Sequence, residues 1–261
     1  MVNPKYNDSI VPFMDIDIKG SALYKNRLMM LDILANNNWK RPIYFSGGAF
    51  DDEDYLWLKD YLQLDGMVYK LVPVKNTPSK DGGPMDMGQI DADKMYDIVM
   101  KWDWGNSNSD KIYHDPETRR NSITYRTNLS RLMNQLIEEG KIEKAKNVIN
   151  LAITKMPLEK FGYYSLVEPF TGGYYKVGEK EKAHDLLNKL VQKYKENLNY
   201  YATLSAGDQS DLAIDIITDI ERYRSLLQVM KDNKDLVFYN NHKRTFNTYV
   251  NVFERFGREK E

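Results

Sequence analysis

The sequence contains no cysteine among its 261 residues, which excludes disulfides, thiol nucleophiles and cysteine-ligated metal sites. Histidine is scarce as well. His114, His184 and His242 lie far apart and lack the spacing of a zinc motif. No serine lies in the Gly-x-Ser-x-Gly pattern of a nucleophile elbow. We therefore expect no enzyme chemistry in this chain, and neither a metal ion nor another cofactor.

The sequence also lacks long apolar runs and a strong net charge. No run approaches the roughly 18 apolar residues that a membrane-spanning helix requires. The formal net charge is −1, so no global field favours nucleic acid or anionic lipid as a partner. With 42% hydrophobic and 29% charged residues, the composition is typical of a soluble globular protein.

Residues 1–112 are predicted to form a small α/β portion. A strand, a helix and a second strand follow one another within about 30 residues, which is the size of a βαβ unit. The predicted elements are an extended segment over 1–19, a helix over 20–37, strands over 43–45 and 67–72 with a helix over 51–62 between them, a loop over 76–89, and a helix over 91–102.

Two short motifs in this portion admit a ligand-binding interpretation. Asp15 and Asp17 form an Asp-x-Asp pair of the kind that some sugar-nucleotide transferases use to hold a divalent metal. The Ser-Gly-Gly turn at 46–48 precedes a helix and is suited to an anion, but the acids over 51–54 would repel phosphate. Chance occurrence and a tight loop are the favoured interpretations of the two motifs.

Trp102 and Trp104 stand close together in the sequence. Indole planes stack on sugars or bases in many binding sites. For two tryptophans in one short segment, packing in the core or in an interface is the favoured interpretation. A helix start follows at Asp115 and Pro116. Four arginines lie along that helix, and the default expectation for them is a solvated face: Arg119, Arg120, Arg126 and Arg131.

Residues 129–157 contain two amphipathic helical patterns separated by a Gly-Lys turn, and this layout resembles the tetratricopeptide repeat. Small residues permit close helix packing, a glycine forms the turn, and a proline ends the second helix. The matching positions are Leu129, Leu132, Leu136, Gly140, Ala145, Ile149, Ala152 and Pro157. The departure is Met133, where the family favours glycine.

A weaker copy follows with an offset of 38 residues. Its matches are Phe170, Tyr174, Gly178, Ala183 and Leu187. Leu190 and Lys195 depart from the family's alanine and proline, and Pro169 lies inside the first predicted helix. Because the usual offset is shorter, we expect a few extra residues around 158–162.

A broader resemblance covers nearly the whole chain. It rests on the segments NNNWKRPIYF, GMVYKLVPV and MYDIVMKWDWGN, followed by an Arg-rich helix that leads into the repeats. Together they resemble the C-terminal region of a bacterial family of multi-pass membrane proteins related to protein O-mannosyltransferases. The resemblance implies that the catalytic loops and the lipid-sugar site belong to an N-terminal membrane domain absent from this chain. It also implies a location on the periplasmic face of the membrane.

The tetratricopeptide resemblance implies a binding face, since the first helix of each pair lines the concave side of such arrays. Hydroxyls, amides and tyrosine there favour a neutral polypeptide, or a glycan, over a carboxylate ligand. The matching positions include Ile137 and Gly172, and the residues predicted to bind are Thr127, Ser130, Asn134, Glu138, Ser165, Glu168, Tyr175 and Lys176.

We therefore predict a mainly α fold with two tetratricopeptide-like helical hairpins, capping helices, and a small α/β N-terminal portion. The parts are 1–112, the repeat pair over 113–200, and capping helices over 201–261, the first of them capped by Gly207 and Asp208. The predicted function is a non-catalytic protein-interaction module that positions an acceptor polypeptide or partner protein. The alternatives are a free-standing cytoplasmic scaffold and a metal-dependent or sugar-nucleotide enzyme that uses Asp15 and Asp17.

Overall fold

The computed structural model describes residues 2–18, 22–46, 57–76 and 87–256. Within these ranges the protein is mainly α-helical with a small sheet in its N-terminal part, which confirms the predicted fold class. None of the described helices combines the length and apolar character needed to cross a membrane. The helices are α1 (Lys25–Asn36), α2 (Ala92–Val99), α3 (Pro116–Glu138), α4 (Ile142–Lys155), α5 (Leu158–Phe161), α6 (Glu168–Lys176), α7 (Lys180–Thr203), α8 (Ala206–Asp211), α9 (Ala213–Asp232) and α10 (Leu236–Val252).

The sheet has three antiparallel strands, β1 (Tyr44–Ser46), β2 (Leu62–Asp65) and β3 (Val68–Leu71), with β3 in the centre. The predicted βαβ unit is wrong, because β1 and β3 are antiparallel neighbours and the end of the predicted helix is the start of β2. Of the rest of that helix, Lys59–Tyr61 form a short 3-10 helix. Residues 51–56, most of the 46–48 turn and most of the 76–89 loop lie outside the described residues.

The N-terminal segment differs from the predicted extended chain at its start. Pro4–Ser9 form a 3-10 helix, with the Asn3 side chain accepting a hydrogen bond from the Lys5 backbone N–H at 3.1 Å. The chain is extended after that point, and Val11 donates to the carbonyl of Pro73 at 2.9 Å. The following helix, α1, has no buried residue.

Two helical hairpins, α3–α4 and α6–α7, form the centre of the fold, and their turns are alike. Gly140 and Gly178 adopt φ angles of 71° and 80°, values that favour glycine. The backbone N–H of the next residue in each turn donates to the carbonyl five positions earlier in the chain. These bonds run from Lys141 to Leu136 at 2.8 Å and from Glu179 to Tyr174 at 2.9 Å. This is the Schellman arrangement, and it confirms the predicted turn at Gly140.

A third hairpin, α9–α10, repeats this turn without a glycine. Lys234 has a φ angle of 58°, and the backbone N–H of Asp235 donates to Met230 at 2.9 Å. The predicted capping helices are therefore the third hairpin of the series, preceded by the short α8. The predicted cap of the long helix at Gly207 and Asp208 is wrong. Both residues lie inside the short α8, where Ser205 is the cap and accepts from the Asp208 N–H at 3.3 Å, and the long helix α9 follows Leu212 without a side-chain cap.

The extra residues predicted around 158–162, between the two copies of the repeat, are found at that place. The four-residue helix α5 (Leu158–Phe161) accounts for it. Pro169 lies in the first turn of α6, where its missing N–H has no partner to lose. It therefore starts the helix and does not interrupt it.

One cluster of buried residues continues from α2 through all three hairpins, and it crosses both predicted boundaries at 112 and 200. Its members include Met95, Leu132, Leu187, Tyr223 and Phe246. A smaller cluster around Leu58, Tyr61, Leu62 and Leu71 lies under the sheet. The division into three parts stays a prediction.

Candidate functional site: an aromatic cleft beside the first hairpin

The cleft exists because the two helices of the first hairpin differ in length. Helix α3 has 23 residues and α4 has 14, so at 1.5 Å per residue α3 extends about 13 Å beyond its partner. The start of this overhang is fixed by Asp115, whose Oδ1 accepts from the backbone N–H groups of Glu117 at 2.9 Å and Thr118 at 3.0 Å. This confirms the predicted helix start.

The loop over 100–115 forms the opposite wall of the cleft. Gly105 and Asn106 have φ angles of 53° and 61°, which turn the chain sharply after Trp104. Ser107 anchors the loop to the end of α4 through a 2.6 Å hydrogen bond from Oγ to the carbonyl of Lys155. The imidazole Nε2 of His114 lies 2.7 Å from the carbonyl of Ser107. One of these hydrogen bonds therefore ties the wall to α4, and the other joins two residues of the wall.

Three aromatic rings lie at the inner end of the cleft. The ring centroids of Trp102 and Trp104 are 5.7 Å apart, and both indoles lie within 5.6 Å of Tyr125 in edge or tilted orientations. Trp102 lies against Gly66 at the β2–β3 turn, where an added β-carbon would be 3.0 Å from the indole. Such edge contacts are favourable for aromatic pairs. The two tryptophans thus pack against neighbouring residues, as the sequence predicts.

The cleft has a volume of about 390 Å³, within the usual range for small-molecule sites. Its lining contains no lysine or arginine, and its carboxylate comes from Asp103. The indole N–H of Trp104 is buried and has no hydrogen-bond acceptor among the described residues. The lining residues are Trp102, Asp103, Trp104, Gly105, Ser107, Ile112, His114, Thr118, Asn121, Ser122, Tyr125, Met156 and Phe161.

A buried arginine supports the inner end of the cleft. Arg126 is 1% exposed, so its predicted solvated position is wrong. Its guanidinium donates to backbone carbonyls, at 2.5 Å to Gly162 and 2.9 Å to Met156. Burial lowers the pKa of Arg126 to about 10, and the side chain remains a cation whose partners are the carbonyls at the ends of α4 and α5.

The α3 half of the predicted binding face is only partly accessible. Asn134 and Glu138 are exposed, Thr127 is half-buried and Ser130 is buried. Asn134 and Glu138 make no hydrogen bond within the described part of the chain. This half of the face therefore offers an amide and a carboxylate to solvent.

The α6 half is largely an internal interface with the third hairpin. Glu168 is 8% exposed and accepts hydrogen bonds from Tyr194 Oη at 2.5 Å and Arg222 Nη1 at 3.5 Å. Burial raises the pKa of Glu168 above its usual value. Tyr175 donates to Asp235 at 3.0 Å. Of this half, Lys176 is exposed and Ser165 is half-buried, so the structure does not bring the predicted residues together in one open groove. Their binding role stays a prediction.

Asp235 accepts hydrogen bonds from three side chains at the junction of the second and third hairpins. Its Oδ2 accepts from His184 Nε2 at 2.5 Å, Tyr175 Oη at 3.0 Å and Lys180 Nζ at 3.2 Å. Although burial alone would raise the pKa of Asp235, these hydrogen bonds lower it below its ordinary value. The His184 ring also stacks on Phe238, with centroids 3.9 Å apart. This cluster joins the two hairpins.

The acidic motif at the N-terminus forms no site in the described structure. Asp15 and Asp17 are both exposed in an extended segment. Among the described residues, no group of three or more histidine, aspartate or glutamate side chains is arranged to hold a metal ion.

Comparisons with known proteins give one match. The family model described as TMEM260-associated domain 2 matches residues 1–94, which include α1, the sheet and the first residues of α2. No curated protein matches the chain, and no solved structure matches it. The N-terminal portion of the chain is thus similar to a domain associated with a membrane-protein family.

Proposed function

We propose that this chain is a non-catalytic binding module of a membrane glycosyltransferase-like protein on the periplasmic face of a bacterial membrane. In this proposal its hairpins are a divergent tetratricopeptide array, and the parent protein is a relative of protein O-mannosyltransferases. The module holds an acceptor polypeptide or a partner protein for chemistry carried out elsewhere in the parent.

The observation that carries the proposal is the repeated turn. Three consecutive helical hairpins use the same backbone hydrogen bond, at Lys141, Glu179 and Asp235, and stack around one core. Stacked hairpins of this kind present extended surfaces that suit a chain-like ligand. The match of residues 1–94 to a membrane-protein-associated domain supports the membrane context.

The surface that remains for a polypeptide lies along the second half of α3. Asn134 and Glu138 are one turn apart and exposed, so their amide and carboxylate are suited to backbone and hydroxyl groups of an extended chain. Lys176 on α6 is exposed as well. The side chains of Glu168 and Tyr175 hold the hairpins together in this proposal and do not contact the ligand.

The test is a calorimetric titration of the full chain with an unfolded polypeptide rich in serine and threonine. Asn134→Ala and Glu138→Ala are each expected to weaken binding about three- to tenfold, the loss of one or two hydrogen bonds. Asn188→Ala on the exposed surface of α7 is the matched control and should bind like the wild type. No binding by the wild type, or equal binding by all three variants, would contradict the proposal.

A further inference from the structure

We infer that the aromatic cleft binds a neutral sugar ring, such as one hexopyranose unit of a glycan. This inference goes beyond polypeptide binding, because the cleft uses the first half of α3, from Thr118 to Tyr125. The residues proposed to hold polypeptide, Asn134 and Glu138, lie in the second half of the same helix.

The chemistry of the lining identifies the ligand class. Two indoles and a tyrosine ring provide the apolar surfaces on which the C–H face of a pyranose stacks. Asn121 is exposed at the cleft and makes no hydrogen bond among the described residues. One oxygen of Asp103 accepts from the Gly105 N–H at 3.0 Å, which leaves the second oxygen for a hydroxyl. Amide and carboxylate groups beside aromatic rings are suited to vicinal hydroxyls.

The charge of the lining disfavours an anionic ligand. No lysine or arginine lines the cleft, and Asp103 supplies a negative charge. The Arg126 guanidinium lies behind the lining and donates to backbone carbonyls. A phosphate in the cleft would therefore meet the Asp103 carboxylate without a cation among the lining side chains, which is unfavourable at short range. Nucleotides and phosphorylated sugars are therefore disfavoured relative to neutral glycosides.

The unpartnered indole of Trp104 supports a ligand that brings an acceptor. Its buried N–H lacks a hydrogen bond among the described residues, and an unsatisfied buried donor has a free-energy cost. A sugar hydroxyl that enters beside the ring, with a small rotation of the indole, supplies that acceptor. In this inference the glycoside accepts a hydrogen bond from the Trp104 N–H, which has no acceptor among the described residues.

The experiment follows the four indole N–H signals in proton–nitrogen NMR spectra of the full chain. The probes are the methyl glycosides of glucose, galactose and mannose, with a hexose 6-phosphate as the charged comparison. The signals of Trp102 and Trp104 are expected to shift saturably with at least one glycoside, while those of Trp39 and Trp57 stay in place. The phosphorylated sugar is expected to bind at least about tenfold more weakly.

Variants assign the effect to the cleft. Trp104→Phe keeps a ring and removes the donor, and we expect about a tenfold loss of affinity for the glycoside. Asn121→Ala, an exposed change that leaves the core intact, is expected to lose about three- to tenfold. Tyr113→Ala is the control, since Tyr113 is 82% exposed and does not line the cleft. It should bind like the wild type.

Three results would overturn the inference. They are the absence of any shift with all glycosides, affinities unchanged in both Trp104→Phe and Asn121→Ala, and shifts caused by the unfolded polypeptide but by none of the glycosides. The last result would leave the proposed polypeptide function standing. Conversely, glycoside binding without polypeptide binding would contradict the proposed function and support this inference.

Discussion

The sulfur of Met133 occupies the space that a β-carbon on Gly173 would fill. Met133 belongs to α3 of the first hairpin and Gly173 to α6 of the second. The tetratricopeptide pattern that the sequence resembles has glycine at the position of Met133, whereas the glycine at this contact is Gly173 on the neighbouring hairpin. The two hairpins therefore approach closely at this point because Gly173 leaves room for the Met133 side chain.

Gly173→Ala is expected to destabilise the fold by about 1–3 kcal/mol, because the added methyl overlaps Met133 and also lies 3.1 Å from Ile149. Gly172→Ala is the matched control, since its added carbon meets Val229 at 3.9 Å, an ordinary contact. That change is expected to stabilise α6 by about 0.5–1 kcal/mol. Urea denaturation of both variants measures the difference, and equal effects would show that the contact does not limit packing.

Lys234→Gly is expected to stabilise the third hairpin by about 1 kcal/mol, because Lys234 has a φ angle of 58° in the turn where the other hairpins have glycine. Gly178→Ala, the reverse change at φ 80°, is expected to destabilise by a similar amount. The two melting temperatures are expected to move in opposite directions. Shifts of the same sign would show that the third turn differs from the second.

Asp235→Asn is expected to make the free energy of unfolding decrease less as the pH is lowered. The folded-state pKa of Asp235 is lowered by its hydrogen bonds, so this carboxylate stabilises the fold above its unfolded pKa of about 3.9. That contribution is lost as pH falls through the lower folded value. Unfolding free energies measured from pH 6 to pH 3 should fall less in the variant. A pH profile parallel to the wild type would contradict the assignment.

Glu168→Gln is expected to reduce a loss of stability that occurs as pH rises, which is the opposite pH direction to that for Asp235→Asn. Burial raises the folded-state pKa of Glu168, so its contribution is fully present below the unfolded pKa of about 4.3 and is lost as pH rises through the folded value. The amide still accepts from Tyr194 but does not ionise. From pH 4 to pH 7 the variant should therefore lose less stability than the wild type, measured by urea unfolding at each pH.

Arg126→Met is expected to cost about 2–4 kcal/mol. The change removes the donor to the carbonyls of Gly162 and Met156 and leaves them buried without a partner. Arg120→Ala, at an exposed position of the same helix, should change stability by less than about 0.5 kcal/mol. Chemical denaturation distinguishes the two, and an Arg126→Met variant as stable as the Arg120→Ala control would show that the carbonyls find other donors.

Features set by local backbone chemistry were predictable from the sequence. The cap at Asp115 and the turns at Gly140 and Gly178 depend on residues within one helical turn. They can therefore be recognised from a single sequence. The third hairpin was not predicted because Lys234 occupies the turn position at which a glycine would indicate a hairpin. Tyr239, which follows its turn, stands where the earlier hairpins have an alanine.

Features that depend on distant contacts were not predictable. The burial of Arg126 depends on carbonyls about 30 residues away. The antiparallel sheet depends on β2, for which the sequence predicts no strand. Its first residue, Leu62, is predicted as the end of a helix. The cleft depends on the overhang of α3 and on the loop turned at Gly105, and the tryptophan pair alone does not indicate it. The predicted binding face was divided by α9, which packs against Gly172 through Val229.

We propose that the exposed second half of α3 holds a polypeptide. Site-specific photo-crosslinking tests it most directly, with the reactive residue placed at Asn134 and, as a control, at Asn188, in the presence of the unfolded serine- and threonine-rich polypeptide. We expect efficient crosslinking from position 134 and background levels from position 188. Equal yields from the two positions, or none from position 134 when binding is saturated, would contradict it.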